Sequence, residues 1–238
     1  MASHCCPRGK PAARSRSRQE QGAGPALAFV ANRRNLNSIA ALTGALEIDP
    51  RTRSLPLHFI WQDGRLIPRL QGLLDRPDSL FVAASFATAD LPDAASLLRH
   101  LRELEPAPLV VAGGPHPSAR PAEVLAMGAD AIVVGEGEVT FPALLECLLA
   151  ERSPAGMPGI AVPATKDGIL HGPRPQPVDL DAFPPMGVAH RRFGPIEITR
   201  GCSCGCAFCQ TSFLFGGEMR HRSVASVVEA VSIAMEQG

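Results

Sequence analysis

Cys202, Cys206 and Cys209 stand in C-x3-C-x2-C spacing within Ile198-Thr199-Arg200-Gly201-Cys202-Ser203-Cys204-Gly205-Cys206-Ala207-Phe208-Cys209-Gln210. Four of the chain's seven cysteines fall within positions 202–209. Thiolates this close can converge on one metal centre. Tetrahedral zinc and cubane iron–sulfur clusters usually take four protein ligands. Three leave one position open, and an open position on a metal is where chemistry takes place. Two other readings stay open on spacing alone: structural zinc with Cys204 as fourth ligand, and plain reduced thiols. A zinc site normally pairs two C-x2-C-type halves from separate segments, and no second half is present.

Composition narrows the setting. The 238 residues are 45% hydrophobic, enough for one large domain or two smaller ones. Lys plus Arg (23) equals Asp plus Glu (23), so net charge gives no argument for nucleic acid or a membrane as partner. No apolar run approaches the ~20 residues of a membrane span. No apolar segment of signal-peptide type follows the basic start. An odd, clustered set of cysteines suits reduced thiols and a metal site in a cytoplasmic protein better than a disulfide framework.

The elements that must position the thiols follow from periodicity. Residues 1–24 carry Arg8, Lys10, Arg14, Arg16 and Arg18 among small residues and read as a disordered basic tail, with Cys5 and Cys6 as spare thiols. From residue 25 to 150, apolar strands at 26–31, 55–61, 79–85, 108–112 and 131–134 alternate with stripes at helical spacing, as in Leu97, Leu98, Leu101 and Leu104. Strict alternation of this kind predicts an α/β domain: a doubly wound, Rossmann- or flavodoxin-like parallel sheet. Ligands of such sheets sit at the carboxyl ends of the strands. That places Ser85, Gly113, Gly114, His116, Gly135 and Gly137 as candidate binding residues, the glycines because backbone N–H groups can approach a ligand there. The competing reading is that these glycines only make tight turns. No G-x-G-x-x-G opens the first helix, which disfavours a dinucleotide. Residues 151–194 are proline-rich, with a predicted hairpin of 159–162 and 169–171 around Lys166-Asp167-Gly168 and an extended linker after it. A new strand at 195–199 leads into the cysteine loop. Ser223 is then expected to cap a helix with Val224, Val227, Val228, Val231 and Met235 on one face.

A strand, a C-x3-C-x2-C loop with Phe208 before the last cysteine, then a helix: this resembles the radical S-adenosylmethionine (SAM) superfamily. The resemblance implies that Cys202, Cys206 and Cys209 ligate a [4Fe-4S] cluster whose fourth iron chelates SAM, with Phe208 near the adenine and Cys204 a non-ligand. It implies reductive cleavage of SAM to a 5′-deoxyadenosyl radical, with the electron coming from a donor such as ferredoxin or flavodoxin. The preceding α/β domain narrows the resemblance to the cobalamin (B12)-binding subfamily. Gly113-Gly114-Pro115-His116-Pro117 and Gly135-Glu136-Gly137-Glu138-Val139-Thr140-Phe141 look like that subfamily's loops, which implies a cobalamin cofactor and the possibility of methyl transfer. There are two departures. The D-x-H-x-x-G motif, whose histidine binds cobalt in many cobalamin proteins, is replaced by Asn32, Arg33, Arg34 and Asn35, which leaves His116 and His58 as candidates on paper. Residues 195–238 also hold only about one β/α unit, at roughly 30 residues per unit, so a barrel truncated early is expected. The alternative is a non-catalytic cobalamin-type module with a vestigial cluster or zinc loop.

Overall fold

Continuous apolar strands separated by amphipathic helices can bury both only as a parallel sheet covered on each face. The computed structural model, which describes residues 24–75, 79–164 and 168–237, has this arrangement. Five strands run parallel in the order β2 (Leu57–Trp61), β1 (Ala26–Ala31), β3 (Leu80–Ser85), β4 (Leu109–Gly113), β5 (Ala131–Val133). The order 2-1-3-4-5 is flavodoxin-like, with its switch point between β1 and β3.

The two strand faces feed two cores. Phe29, Phe81, Val111 and Val133 meet Leu46, Phe141 and Leu144 of α1 (Leu36–Ile48) and α6 (Gly137–Leu149). Val30, Val82, Val110 and Ile132 meet Leu70, Leu98 and Val124 of α2 (Leu66–Leu74), α3 (Leu91–Arg102) and α5 (Pro121–Ala126). Each wholly buried side chain of this size stabilises by about 1.5–3 kcal/mol relative to exposure.

The hairpin is not a separate unit. β6 (Ile160–Pro163) pairs antiparallel with β5, and β7 (Ile169–His171) pairs antiparallel with β6, extending the sheet to seven strands. β5 is short and would otherwise be an open edge; Ile160 and Ala161 are buried against it. Lys166 and Asp167 of the predicted turn, and residues 1–23 of the predicted basic tail, lie outside the described residues.

The proline-rich segment is packed down. Val178, Leu180 and Met186 are buried. A Cβ at Gly44 of α1 would lie 2.6 Å from the Met186 carbonyl oxygen, so helix and strap meet backbone to backbone. Glu47 accepts from the backbone N–H groups of Ala189 (3.1 Å) and His190 (2.9 Å) and pairs with His190 Nδ1 (2.7 Å). Beyond the strap, β8 (Thr199–Arg200) and β9 (Arg220–His221) form a two-stranded antiparallel pair. The strand expected over 195–199 thus shrinks to its last residue and Arg200, since β9 offers only two partners. Between them lie the cysteine loop, 201–209, and α7 (Gln210–Phe215); α8 (Val224–Gln237) follows. The Ser223 hydroxyl accepts the Ser226 N–H at 3.1 Å, the expected cap. Among the described residues no helix is long and apolar enough to cross a membrane.

Candidate functional site

The carboxyl ends of β1, β3, β4 and β5 open into a cavity of about 500 Å³, within the range of small-molecule sites. Phe29, Val111, Val133 and Phe141 form its floor; Asn37, Ser38 and Leu42 of α1 form one side. Ser85, Gly113, Gly114, Gly135 and Gly137 all line it. The opposite wall comes from the far end of the chain: Glu197, Arg200, Gln210, Thr211, Leu214 and Phe215.

The glycines do more than turn the chain. Gly114 has φ +93, and a Cβ there would lie 2.7 Å from Ser85 Oγ. A Cβ on Gly137 would lie 2.7 Å from Leu42 Cδ2. Side chains at these positions would collide with Ser85 and Leu42, so close packing at the rim requires glycine at both. The two turns are linked, since Ser118 Oγ of α4 (Pro115–Ala119) accepts the Gly135 N–H at 3.0 Å.

His116 is placed differently from the other candidates. It is buried but does not line the cavity. Its ring stacks on Phe86 (5.9 Å between centroids), with Nδ1 3.1 Å from Thr88 Oγ1 and Nε2 3.8 Å from Glu123. The cause is local: Pro115–Ala119 coils into a short helix, which rotates the imidazole behind the β3 end. His58 lies on β2, away from the cavity lining.

The turn that replaces D-x-H-x-x-G is a staple. Asn35 is buried, and its Nδ2 donates to the Val30 carbonyl (2.9 Å) and the Ser85 carbonyl (3.1 Å), while Oδ1 accepts the Asn32 N–H (2.9 Å). One amide thus ties β1 to β3 at the switch point. Asn35→Ala is expected to lower the unfolding free energy by about 1–3 kcal/mol, the cost of leaving buried carbonyls unpaired, read from urea unfolding. No change would mean that water replaces the amide.

Sequence reasoning missed the charged cluster between the sheet edge and the cysteine loop. Arg200 reaches Glu136 (3.2 Å), Glu138 (2.6 Å) and Glu197 (2.6 Å). Glu136 also accepts from the Val178 N–H (3.0 Å) and pairs with Arg220. Arg222 donates to the carbonyls of Glu197 (3.0 Å), Phe183 (2.7 Å) and Leu180. Burial works against the charge on Arg200, but the carboxylates of Glu197 and Glu138 outweigh it and hold its pKa above the ordinary value. Burial pulls the Arg222 pKa down, against the charge of Glu197. The available signal was two glutamates in a turn at the end of a buried strand, which need cations if desolvated.

Within the cysteine loop, Cys202 and Cys209 are half-buried and Cys204 and Cys206 exposed. Phe208 is 94% exposed. Among the described residues no three His, Cys, Asp or Glu side chains stand close enough together to hold a metal ion. The thiols are chemically distinct. Hydrogen bonds from the Thr211 side chain and backbone lower the Cys209 pKa. The neighbouring Cys202, through a hydrogen bond and its charge, raises that of Cys204. Cys209 therefore reaches its nucleophilic thiolate form at lower pH. Alkylation of the iron-free chain, followed by peptide mass spectrometry across pH, is expected to modify Cys209 at lower pH than Cys204. Thr211→Val should narrow that gap, and identical profiles for the two thiols would refute the assignment.

Comparison with known proteins agrees with this arrangement. Residues 71–145, from α2 through most of α6, match the family model of the B12 binding domain. The chain is 31% identical over 172 residues to an uncharacterized methyltransferase of Pyrococcus horikoshii, covering 66% of this chain and 36% of that protein. It is 31% identical over 127 residues to the cobalamin-dependent radical SAM methyltransferase TokK of Streptomyces tokunonensis, covering 46% of this chain and 18% of that protein. Among solved structures, the radical SAM methyltransferase TsrM from Kitasatospora setae superposes with a TM-score of 0.66 at 20% identity, covering 90% of this chain and 46% of TsrM. The cobalamin-dependent SAM radical enzyme OxsB gives 0.62 at 19%, covering 92% of this chain and 32% of OxsB. The chain thus spans about a third of the Pyrococcus protein and less than half of TsrM, and across that span it has the α/β fold of these enzymes with a B12-binding match at its centre.

Proposed function

We propose that this chain is the cobalamin-binding and cluster-bearing part of a radical SAM enzyme that transfers a methyl group. One observation carries the reading: a single cavity has the glycine turns after β4 and β5 on one side and, on the other, the segments that bracket the three spaced cysteines. The donor types suit the two groups, although the thiols do not converge on one point among the described residues. At Gly114 and Gly137 a Cβ would collide with Ser85 Oγ and Leu42 Cδ2, so only glycine fits and the rim presents bare backbone toward a ligand. The cysteine loop offers three thiols and one spare, with Gly201 (φ +97) and Gly205 (φ +59) able to turn them inward. When bound, cluster and SAM supply one-electron chemistry and cobalamin supplies a transferable methyl group. The chain's own residues bind and position. Ser85 and the glycine turns offer polar contacts at the rim; Phe29, Leu42, Phe141 and Leu214 exclude water; the Arg200 cluster fixes the cysteine loop over the cavity. The exposed Cys206–Phe208 edge is the approach for an electron donor such as ferredoxin or flavodoxin, and free thiols accord with a cytoplasmic setting. The additional length of the relatives is assigned to completing the SAM and substrate pocket.

The test is anaerobic reconstitution with iron and sulfide, then titration with hydroxocobalamin. Sulfur-to-iron charge-transfer absorbance and a saturable change in the corrin spectrum are expected. Absence of the first removes the cluster; absence of the second removes cobalamin. Among the described residues no histidine lines the cavity, so the protein is expected to supply no nitrogen to cobalt. Electron paramagnetic resonance of bound cob(II)alamin should then be identical for ¹⁵N-labelled and unlabelled protein. A changed nitrogen splitting would place a side chain such as His116 on the metal.

A further inference from the structure

The cysteine loop is staked to the sheet at both ends. At its start, Arg200 enters the carboxylates of Glu136 and Glu138 on the turn after β5. At its end, the Gln210 side chain donates to the Pro115 carbonyl on the turn after β4. These are the two turns that carry the glycine rim of the cavity, and Ser118 joins them to each other. Arg200 and Gln210 themselves line the cavity. A ligand resting on the rim would lie against both residues, which link the two turns to the two ends of residues 201–209.

We propose that Arg200 is a positioning residue that couples occupancy of the cavity to the conformation of the cysteine loop, with Gln210 as the second stake; this rests on the cobalamin and cluster reading above. The coupling is positive. A ligand that fixes the two turns removes conformational freedom that the cysteine loop would otherwise lose on gathering its thiols, so each event favours the other. Linkage makes the effect reciprocal, and couplings of this kind amount to about 5- to 150-fold in affinity. An arginine suits the task because its planar fork can bridge three carboxylates at once, whereas a lysine is a single point charge.

The test uses the full chain with hydroxocobalamin as probe, titrated by absorbance into the iron-free and the reconstituted protein. Binding at least about fivefold tighter to the reconstituted form is expected. Independently of any cluster, saturating hydroxocobalamin should slow amide hydrogen exchange across residues 201–209 of the iron-free chain. Arg200→Lys and Gln210→Ala should shrink both effects, each measured as the ratio of reconstituted to iron-free affinity and as ligand-induced protection within that same variant. Gln210→Ala removes one contact made by a half-buried side chain, and it reports on the coupling if Arg200→Lys does not fold. Equal affinity for the two forms with unchanged exchange overturns the coupling and leaves the cobalamin reading standing. Full coupling retained in both variants overturns the assignment to these residues. No binding to either form removes the cobalamin reading and the coupling together.

Discussion

Glu136→Ala is expected to lower the unfolding free energy by about 3–5 kcal/mol, the range for removing one partner of a buried ion pair. The side chain is nearly inaccessible, yet it holds Arg200, Arg220 and the Val178 N–H together. Losing it leaves Arg220, whose Nε already has no partner among the described residues, as a charge without its carboxylate. It also frees the strap at Val178 and loosens one side of Arg200. A domain of ordinary stability holds about 5–15 kcal/mol in total, so this one change removes a large share. Urea unfolding of the iron-free chain is the measurement. Glu136→Gln should cost less, because an amide oxygen still accepts one of the three donors. A loss below about 1 kcal/mol, the scale of exposed pairs, would show that the cluster is solvated and does not hold the two parts together.

Gly201→Ala should be the most damaging glycine substitution in the cysteine loop. Gly201 has φ +97, and a Cβ there would run into the Glu218 carbonyl oxygen and lie 3.1 Å from its carbon. The backbone conformation alone costs a side chain about 1–3 kcal/mol. The contact adds to this, because it is with main chain that cannot rotate away without displacing β9. Loss of the β8–β9 pairing and of most iron uptake on reconstitution is expected. Gly205→Ala is the control. Its φ is +59 but nothing lies within 4 Å of the added methyl, so only the backbone term applies and iron uptake should stay near that of the parent. Equal behaviour of the two variants would show that the close approach at Gly201 is not what shapes the loop.

These expectations rest on features that differ in how legible they were. The parallel α/β fold could be read because each strand is a short continuous apolar run and each helix a stripe; both patterns are local. The position of the glycine turns at the cavity mouth is legible for the same reason, since a strand end followed by glycine is a local pattern. Arg200 and its carboxylates were not, because 62 to 64 residues separate Glu138 and Glu136 from it, and no periodicity links a charge in one turn to a charge in a later strand. Asn35 carries no such local signal, because its two strand-end acceptors exist only once β1 and β3 are adjacent. His116 was placed by sequence position alone, and the short helix over Pro115–Ala119 turned its ring away. The hairpin was legible but its docking partner was not, since pairing with β5 depends on which edge of the sheet is free.

That hairpin settles a question of direction. β5 runs toward the carboxyl edge, β6 runs away from it, and β7 runs toward it again. Two antiparallel strands, an even number, return the chain to the edge where the cavity opens. The strap therefore emerges beside Gly135, close enough for Pro175 to sit 3.8 Å from where its Cβ would be, and delivers the thiols to the ligand side. One antiparallel strand, or three, would have released the strap at the amino-terminal edge, a strand length from the cavity. The parity of a small edge hairpin thus sets the edge of the sheet from which the strap starts toward the cysteine loop.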